Sequence, residues 1–148
     1  MKVYLGADHG GFELKEKIKD QLIEEGFDIV DLGNDHFDFQ DDYPDFAFKV
    51  AEAVGKDPQS KGILFCRSAA GVIIAANKVK GVRAASVVDL KSAIHSKEHN
   101  DCNVIGLSGD WMDENQALEI VKTWLKTNFT NEQRHKRRID KISEYENS

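Results

Sequence analysis

Cys66, Arg67 and Ser68 stand between an apolar run, Ile63-Leu64-Phe65, and a mostly small-residue stretch from Ala69 to Ala76. A continuous apolar run of this kind suits a parallel strand buried on both faces, and ligands bind at the carboxyl ends of such strands. A helix starting near Ser68 would point its free N–H groups at whatever lies beside Cys66, a setting that favours a thiolate or a bound anion. The stretch reads as a reactive thiol beside an oxyanion or phosphate cradle. Asp8-His9 closes an earlier strand, Val3 to Ala7, and Gly10-Gly11 follows. In a doubly wound sheet of order 2-1-3-4-5, the first and third strands flank the switch point where a crevice opens. A carboxylate, an imidazole and a thiol sharing that crevice suit proton transfer. The alternative is that Asp8 caps the following helix and His9 is a turn residue. His99-Asn100-Asp101 precedes the fifth strand and is expected to enter near the same rim.

Other chemistries fail on spacing. His95 and His99 are four apart, but a zinc-protease helix needs Glu immediately after the first His, and Ser96 stands there. With no third ligand apparent, no metal is expected. A Cys-x5-Arg phosphatase loop would need arginine at Val72, so the bidentate clamp on a phosphoryl group is missing. No Walker loop occurs and Gly6 to Gly11 does not have dinucleotide spacing, which leaves nucleotide cofactors without a motif. Arg134, Lys136, Arg137, Arg138 and Lys141 crowd the end of the chain. They form a solvated face, a nucleic-acid contact or an arginine clamp for phosphate, and the pattern alone does not choose. A formal net charge of −6 disfavours general nucleic-acid binding.

The elements that would position these groups follow from periodicity. Phe12, Leu14, Ile18, Leu22 and Ile23 recur at helical spacing up to Gly26; Phe27 to Leu32 is a second strand, and Asp35 to Asp42 an acidic, aromatic loop. Pro44 suits the first turn of a helix carrying Phe46, Val50 and Val54. Val82 to Val88 is a fourth strand, with a short helix around Leu90 to Ser96 after it. Val104 to Leu107 is a fifth, followed by a helix from about Asp113 to Thr127. Five strands alternating with helices predict an α/β fold: a single three-layer αβα Rossmann-like domain over residues 1–148 with a parallel sheet and right-handed crossovers. Residues 131–148 form a polar helical tail expected to pack on a partner subunit. The 148 residues are enough for a real core, and 41% apolar with 31% charged residues describes a soluble protein. No apolar run reaches the roughly 20 residues of a membrane span. The start of the chain lacks signal-peptide character, and Cys66 and Cys102 read as free thiols, so the expected location is cytoplasmic.

Taken together, these residues resemble the ribose-5-phosphate isomerase B family, which includes the galactose-6-phosphate isomerase subunits. The resemblance rests on Gly6 through Lys15, Asp42-Tyr43-Pro44-Asp45, Cys66 through Lys78, Gly81 to Ala84, His99-Asn100-Asp101 and Arg134-His135 with Arg138. It implies a cofactor-independent aldose–ketose isomerisation of a phosphorylated sugar, by default ribose 5-phosphate and ribulose 5-phosphate, through an enediol. By resemblance, Cys66 is the base and His99 helps open the sugar ring. Asp8, His9, Tyr43 and Asn100 would hold hydroxyls and ring oxygen; Ser68 and the backbone N–H groups through Ala69, Ala70 and Gly71 would hold the enediolate oxygen. Arg134 and Arg138 would take the phosphate. The family's sites lie between subunits, which implies a homodimer or dimer of dimers. Two departures stand out. The usual Gly-Thr-Gly-x-Gly turn is Arg67-Ser68-Ala69-Ala70-Gly71, and a common phosphate-binding arginine after the fifth strand is replaced by Asp110, whose charge would repel a phosphate. Arg67 is expected to supply the missing cation, touching the substrate anion or Cys66. Alternatives are an isomerase for a different sugar, with or without phosphate, and a non-catalytic sugar-phosphate-binding subunit.

Overall fold

A computed structural model describes residues 1–148. In chain order the elements are β1 (Lys2–Ala7), α1 (Phe12–Glu24), β2 (Asp28–Asp31), α2 (Tyr43–Lys56), β3 (Lys61–Cys66), α3 (Ala70–Ala76), β4 (Ala84–Ser86), α4 (Leu90–Asn100), β5 (Val104–Ser108), α5 (Glu114–Lys126) and α6 (Gln133–Glu146). All strand pairs are parallel, and the sheet order is β2-β1-β3-β5-β4. The expected order, 2-1-3-4-5, is therefore corrected at its end: β5 sits inside and β4 forms the edge. Burial explains the exchange. Every residue of β5 is buried, whereas β4 has only three residues, two half-buried alanines and an exposed serine. The switch point between β1 and β3 is unaffected.

Alternation along the strands divides the core in two. Val3, Leu5, Ile63, Phe65, Ile105 and Leu107 meet Leu14, Ile18 and Leu22 of α1 and Ala117, Ile120, Val121 and Trp124 of α5. On the other face Leu64, Cys66 and Val104 pack with Ala47, Val50, Ala51 and Val54 of α2 and with Val72, Ala75 and Ala76 of α3. Gly62 lets α2 come close, because a Cβ there would lie 2.7 Å from a Val50 methyl. α1 stops at Gly26, whose φ of 91° is readily reached only without a side chain. Asp89 caps α4 by accepting the Ser92 N–H, while the Ser92 hydroxyl accepts from the Asp89 N–H. No helix is long and apolar enough to cross a membrane.

The polar tail is helical as expected. α6 lies at the amino-terminal end of the sheet, where the Thr130 N–H donates to the Glu98 carbonyl and the Gly81 N–H to Glu146 Oε2.

Lys15 is fully buried, with its Nζ 2.8 and 2.9 Å from the two oxygens of Asp31 and also donating to the Asn34 carbonyl. Burial pushes the Asp31 carboxyl up, but hydrogen bonds from Lys15, the Gly33 N–H and Lys19 outweigh it and hold the group below its usual range. A lowered carboxyl contributes stability above its unfolded value, and that contribution is lost as pH falls through the folded value. Lys15→Ala leaves the carboxylate without its main partner, with an expected cost of about 3–5 kcal/mol. Thermal unfolding should show a fall of roughly 10 °C at neutral pH, with a smaller gap between variant and parent in acid. An unchanged midpoint would contradict this account.

Candidate active site

Cys66 ends β3 on the α2/α3 side of the sheet and is 5% exposed. The chain then turns through Ala69 in the left-handed region, φ 70°, which brings the Ala69 N–H to 3.1 Å from Cys66 Sγ. That turn delays the helix: α3 begins at Ala70 rather than near Ser68, and the Ser68 hydroxyl accepts the Ala70 N–H. The expected donor beside the sulfur is thus a single turn N–H. Gly71 is required by close approach, since a Cβ there would lie 2.6 Å from the Tyr43 ring at the start of α2. The Gly109 N–H donates to the Cys66 carbonyl at 2.8 Å, and the Ser108 hydroxyl and Asp110 N–H donate to the Arg67 carbonyl. The backbone carrying the sulfur is fixed from both sides.

Asp8, just past β1, is buried and accepts the Gly10 and Gly11 N–H groups at 3.0 and 3.3 Å. Burial raises its carboxyl, reinforced by the charge of Asp41 and opposed by His9 and the two N–H donors. His9 is more than a turn residue. Its Nδ1 lies 2.7 Å from Asp41 Oδ1, the same oxygen accepts its backbone N–H, and Asn34 Nδ2 donates to Asp41 Oδ2. Asp41 therefore sets the ring's orientation through Nδ1, and Nε2 makes no hydrogen bond within the chain. Burial pushes Asp41 up, yet the bonds from His9 and Asn34 outweigh it and keep the group ionised. The rings of Phe37 and Phe39 flank His9 at 6.3 and 5.6 Å. Sequence reasoning missed Asp41 because it treated residues 35–42 as one acidic loop; its place just before Asp42-Tyr43-Pro44 was the available signal. Asp8, His9 and Asp41 each present a possible ligand atom within 4.8 Å of the others, a three-residue group that the spacing of His95 and His99 did not suggest.

Arg67 departs from expectation. Side chains alternate along a strand, so Arg67 points to the α1/α5 side, away from Cys66. Its stem crosses Gly10, where a Cβ would lie 2.4 Å from Arg67 Cγ, and Nη1 lies 3.4 Å from Asp110 Oδ1. The contact with Cys66 is not made. The two departures from the family pattern face each other, and the charge of Asp110 is offset by Arg67. Both groups are well exposed, so the pair adds little to stability. Together with His9, Lys17 and Phe37 they line a crevice of about 440 Å³.

His99 and Asn100 are not near the Cys66 rim. α4 runs back from the carboxyl edge of the sheet, so its last turn lies at the amino edge, where the Asn103 carbonyl accepts the Gly62 N–H at the start of β3. From Gly62 to Cys66 a strand rises roughly 13 Å. Arg134 and Arg138 are exposed on α6 at the same amino edge. The Arg134 Nε is 2.8 Å from Glu132 Oε2, and the Asn100 carbonyl accepts the Arg83 Nε–H. The candidate residues therefore form two groups. Asp8, His9, Tyr43 and Cys66 to Gly71 gather at the carboxyl edge; His99, Asn100, Arg134 and Arg138 gather at the amino edge. Cys102 is buried and free, and burial pushes its thiol up to about 11, which suits the inert role expected for it.

Cys66 ends β3 at the switch point and Asp8 and His9 follow the neighbouring strand β1, although the crevice lined by His9 and Arg67 does not include the sulfur. The chain belongs to the Ribose/Galactose Isomerase family, whose model matches residues 3–142. Among its relatives is ribose-5-phosphate isomerase B of Mycobacterium tuberculosis, 42% identical over 146 residues that cover 99% of this chain and 90% of that one. The crystal structure of Mycoplasma genitalium ribose-5-phosphate isomerase B with bound ribulose-5-phosphate superposes with a TM-score of 0.95 at 45% identity, covering 99% of this chain and 97% of the other. The ribose-5-phosphate isomerase B of Clostridium thermocellum gives 0.93 at 44% identity, covering 99% and 98%.

Proposed function

We propose that this chain is an aldose–ketose isomerase interconverting ribose 5-phosphate and ribulose 5-phosphate, at sites shared between two subunits. The observation that carries the reading is the sulfur of Cys66 at the switch point, with the Ala69 N–H aimed at it and Asp8 and His9 on the neighbouring strand end. The relatives named for this reaction match the chain over nearly its full length.

The chemistry follows from the groups present. In the aldose, His99 assists ring opening by moving a proton from the C1 hydroxyl to the ring oxygen. Cys66, as thiolate, removes the proton from C2, and the carbonyl oxygen on C1 becomes an enediolate. The turn from Ser68 to Gly71 supplies the donors for that charge, which a proton next to a carbonyl needs before it will leave. The Ala69 N–H already faces the sulfur and the Ala70 N–H the Ser68 hydroxyl, so the substrate oxygen must compete for these two. The proton returns from sulfur to C1 while the oxygens exchange theirs, giving the ketose. Asp8, His9, Tyr43 and Asn100 hold the sugar's hydroxyls, and Arg134 and Arg138 meet the phosphate with the fork geometry of guanidinium. Because the two groups of residues sit at opposite edges of one sheet, a complete site joins the carboxyl edge of one subunit to the amino edge of another. A two-fold dimer would close two such sites at once.

The test is proton exchange. In heavy water, ribose 5-phosphate incubated with the protein should yield ribulose 5-phosphate carrying deuterium at C1, while hexose 6-phosphates should react far more slowly. Absence of both ketose formation and deuterium incorporation with every sugar phosphate, despite saturable binding, would leave only a sensor role.

A further inference from the structure

α6 has a single buried residue, His135, 4% exposed on a helix that is otherwise largely in water. Buried imidazole nitrogens ordinarily find a hydrogen-bond partner. His135 Nε2 has none; the Glu132 carboxylate lies 3.4 Å away without hydrogen-bond geometry. What the ring does have is a face contact. It stacks on His99 with centroids 4.4 Å apart and planes 18° apart, and His95 touches the same His99 ring at 4.1 Å. Burial lowers the basicity of His135. The charges of His99 on α4 and of Arg134 and Arg138 on α6 act in the same direction, and Glu132 opposes them. The ring therefore lies against His99 without adding a charge at neutral pH. Arg134 precedes it and Arg138 follows one turn later.

We propose that His135 is a positioning residue for ring opening: its ring, stacked beneath His99, holds that imidazole in the plane from which it reaches the neighbouring subunit's sugar, and couples that plane to the turn of α6 that carries Arg134 and Arg138. This deepens the isomerase reading and rests on it. Ribulose 5-phosphate supplies the separating measurement. Its O5 is phosphorylated and cannot close a five-membered ring on C2, so exchange of its C1 proton needs the enediol but no ring opening. Ribose 5-phosphate, closed through O4 on C1, needs both.

The experiment uses the full chain carrying His135→Ala or His135→Phe. His135→Ala is expected to lower kcat for ribose 5-phosphate roughly ten-fold or more, leave C1 exchange of ribulose 5-phosphate within about two-fold, and reduce the upfield ring-current shift of the His99 ring protons to the part that His95 causes. His135→Phe, which keeps a flat ring and loses the nitrogens, should restore both the rate and the shift. Unchanged isomerisation in His135→Ala, equal losses in both reactions, or no rescue by phenylalanine would overturn the proposal. His99→Asn separates the underlying reading. If that variant isomerises ribose 5-phosphate at the parent rate, the assignment of ring opening to His99 fails, whatever the ring-current shift reports about the stack.

Discussion

Cys66→Ala is expected to bind the sugar phosphate with nearly unchanged affinity and to lose isomerisation and C1 exchange by about a thousand-fold. The sulfur is the only group at the end of β3 able to take a carbon-bound proton, and the turn after it places the Ala69 N–H 3.1 Å away. The neighbouring groups have one polar atom each tied to the protein and the other assigned to the sugar's hydroxyls. Asp8 Oδ1 accepts two backbone N–H groups, and the His9 Nδ1 is tied to Asp41. Removing one buried sulfur should cost on the order of 1 kcal/mol of stability, so a urea titration should confirm a folded variant. Cys66→Ser should be nearly as inactive, because a hydroxyl is far less acidic than a thiol. Parent-like exchange in either variant would move the base to another residue.

Two inactive variants should become active when mixed. Cys66→Ala damages the carboxyl-edge half of a site, and His99→Asn the amino-edge half. In a dimer joining opposite edges, a mixed pair has one site with both lesions and one with neither. Random reassortment makes half the dimers mixed, so activity should recover to about one quarter of the parent's. The measurement is ribulose 5-phosphate formation after unfolding and refolding the variants together, against each refolded alone. A site contained within one chain would give no recovery at all. Sedimentation of the mixture would confirm that subunits had exchanged.

Much of this was visible in the amino-acid pattern. Ile63-Leu64-Phe65 followed by cysteine and small residues marked the central strand and its turn, since a run buried on both faces leaves few other options. The amphipathic spacing of α1, α2 and α5 did the same for three helices. Lateral strand order is not a local property, so the exchange of β4 and β5 escaped; Arg83 and Ser86 within Val82 to Val88, against the apolar Val104 to Leu107, were the available hint. The misplacement of His99 came from reading nearness to a strand as nearness to its far end, although a crossover helix must run back before the next strand begins. His9 with Asp41 and Arg67 with Asp110 are pairings across 32 and 43 residues that periodicity does not encode. The buried ring of His135 lay on a helix that composition described only as basic.

The ammonium of Lys15 holds the Asn34 carbonyl, the Asn34 amide holds Asp41, and Asp41 holds the His9 ring. A strut thus runs from the deepest cation under α1 out to an imidazole at the mouth of the crevice. Tampering with the inner post should loosen the outer one, so at this corner of the molecule rigidity and reactivity are inherited together and cannot be tuned apart.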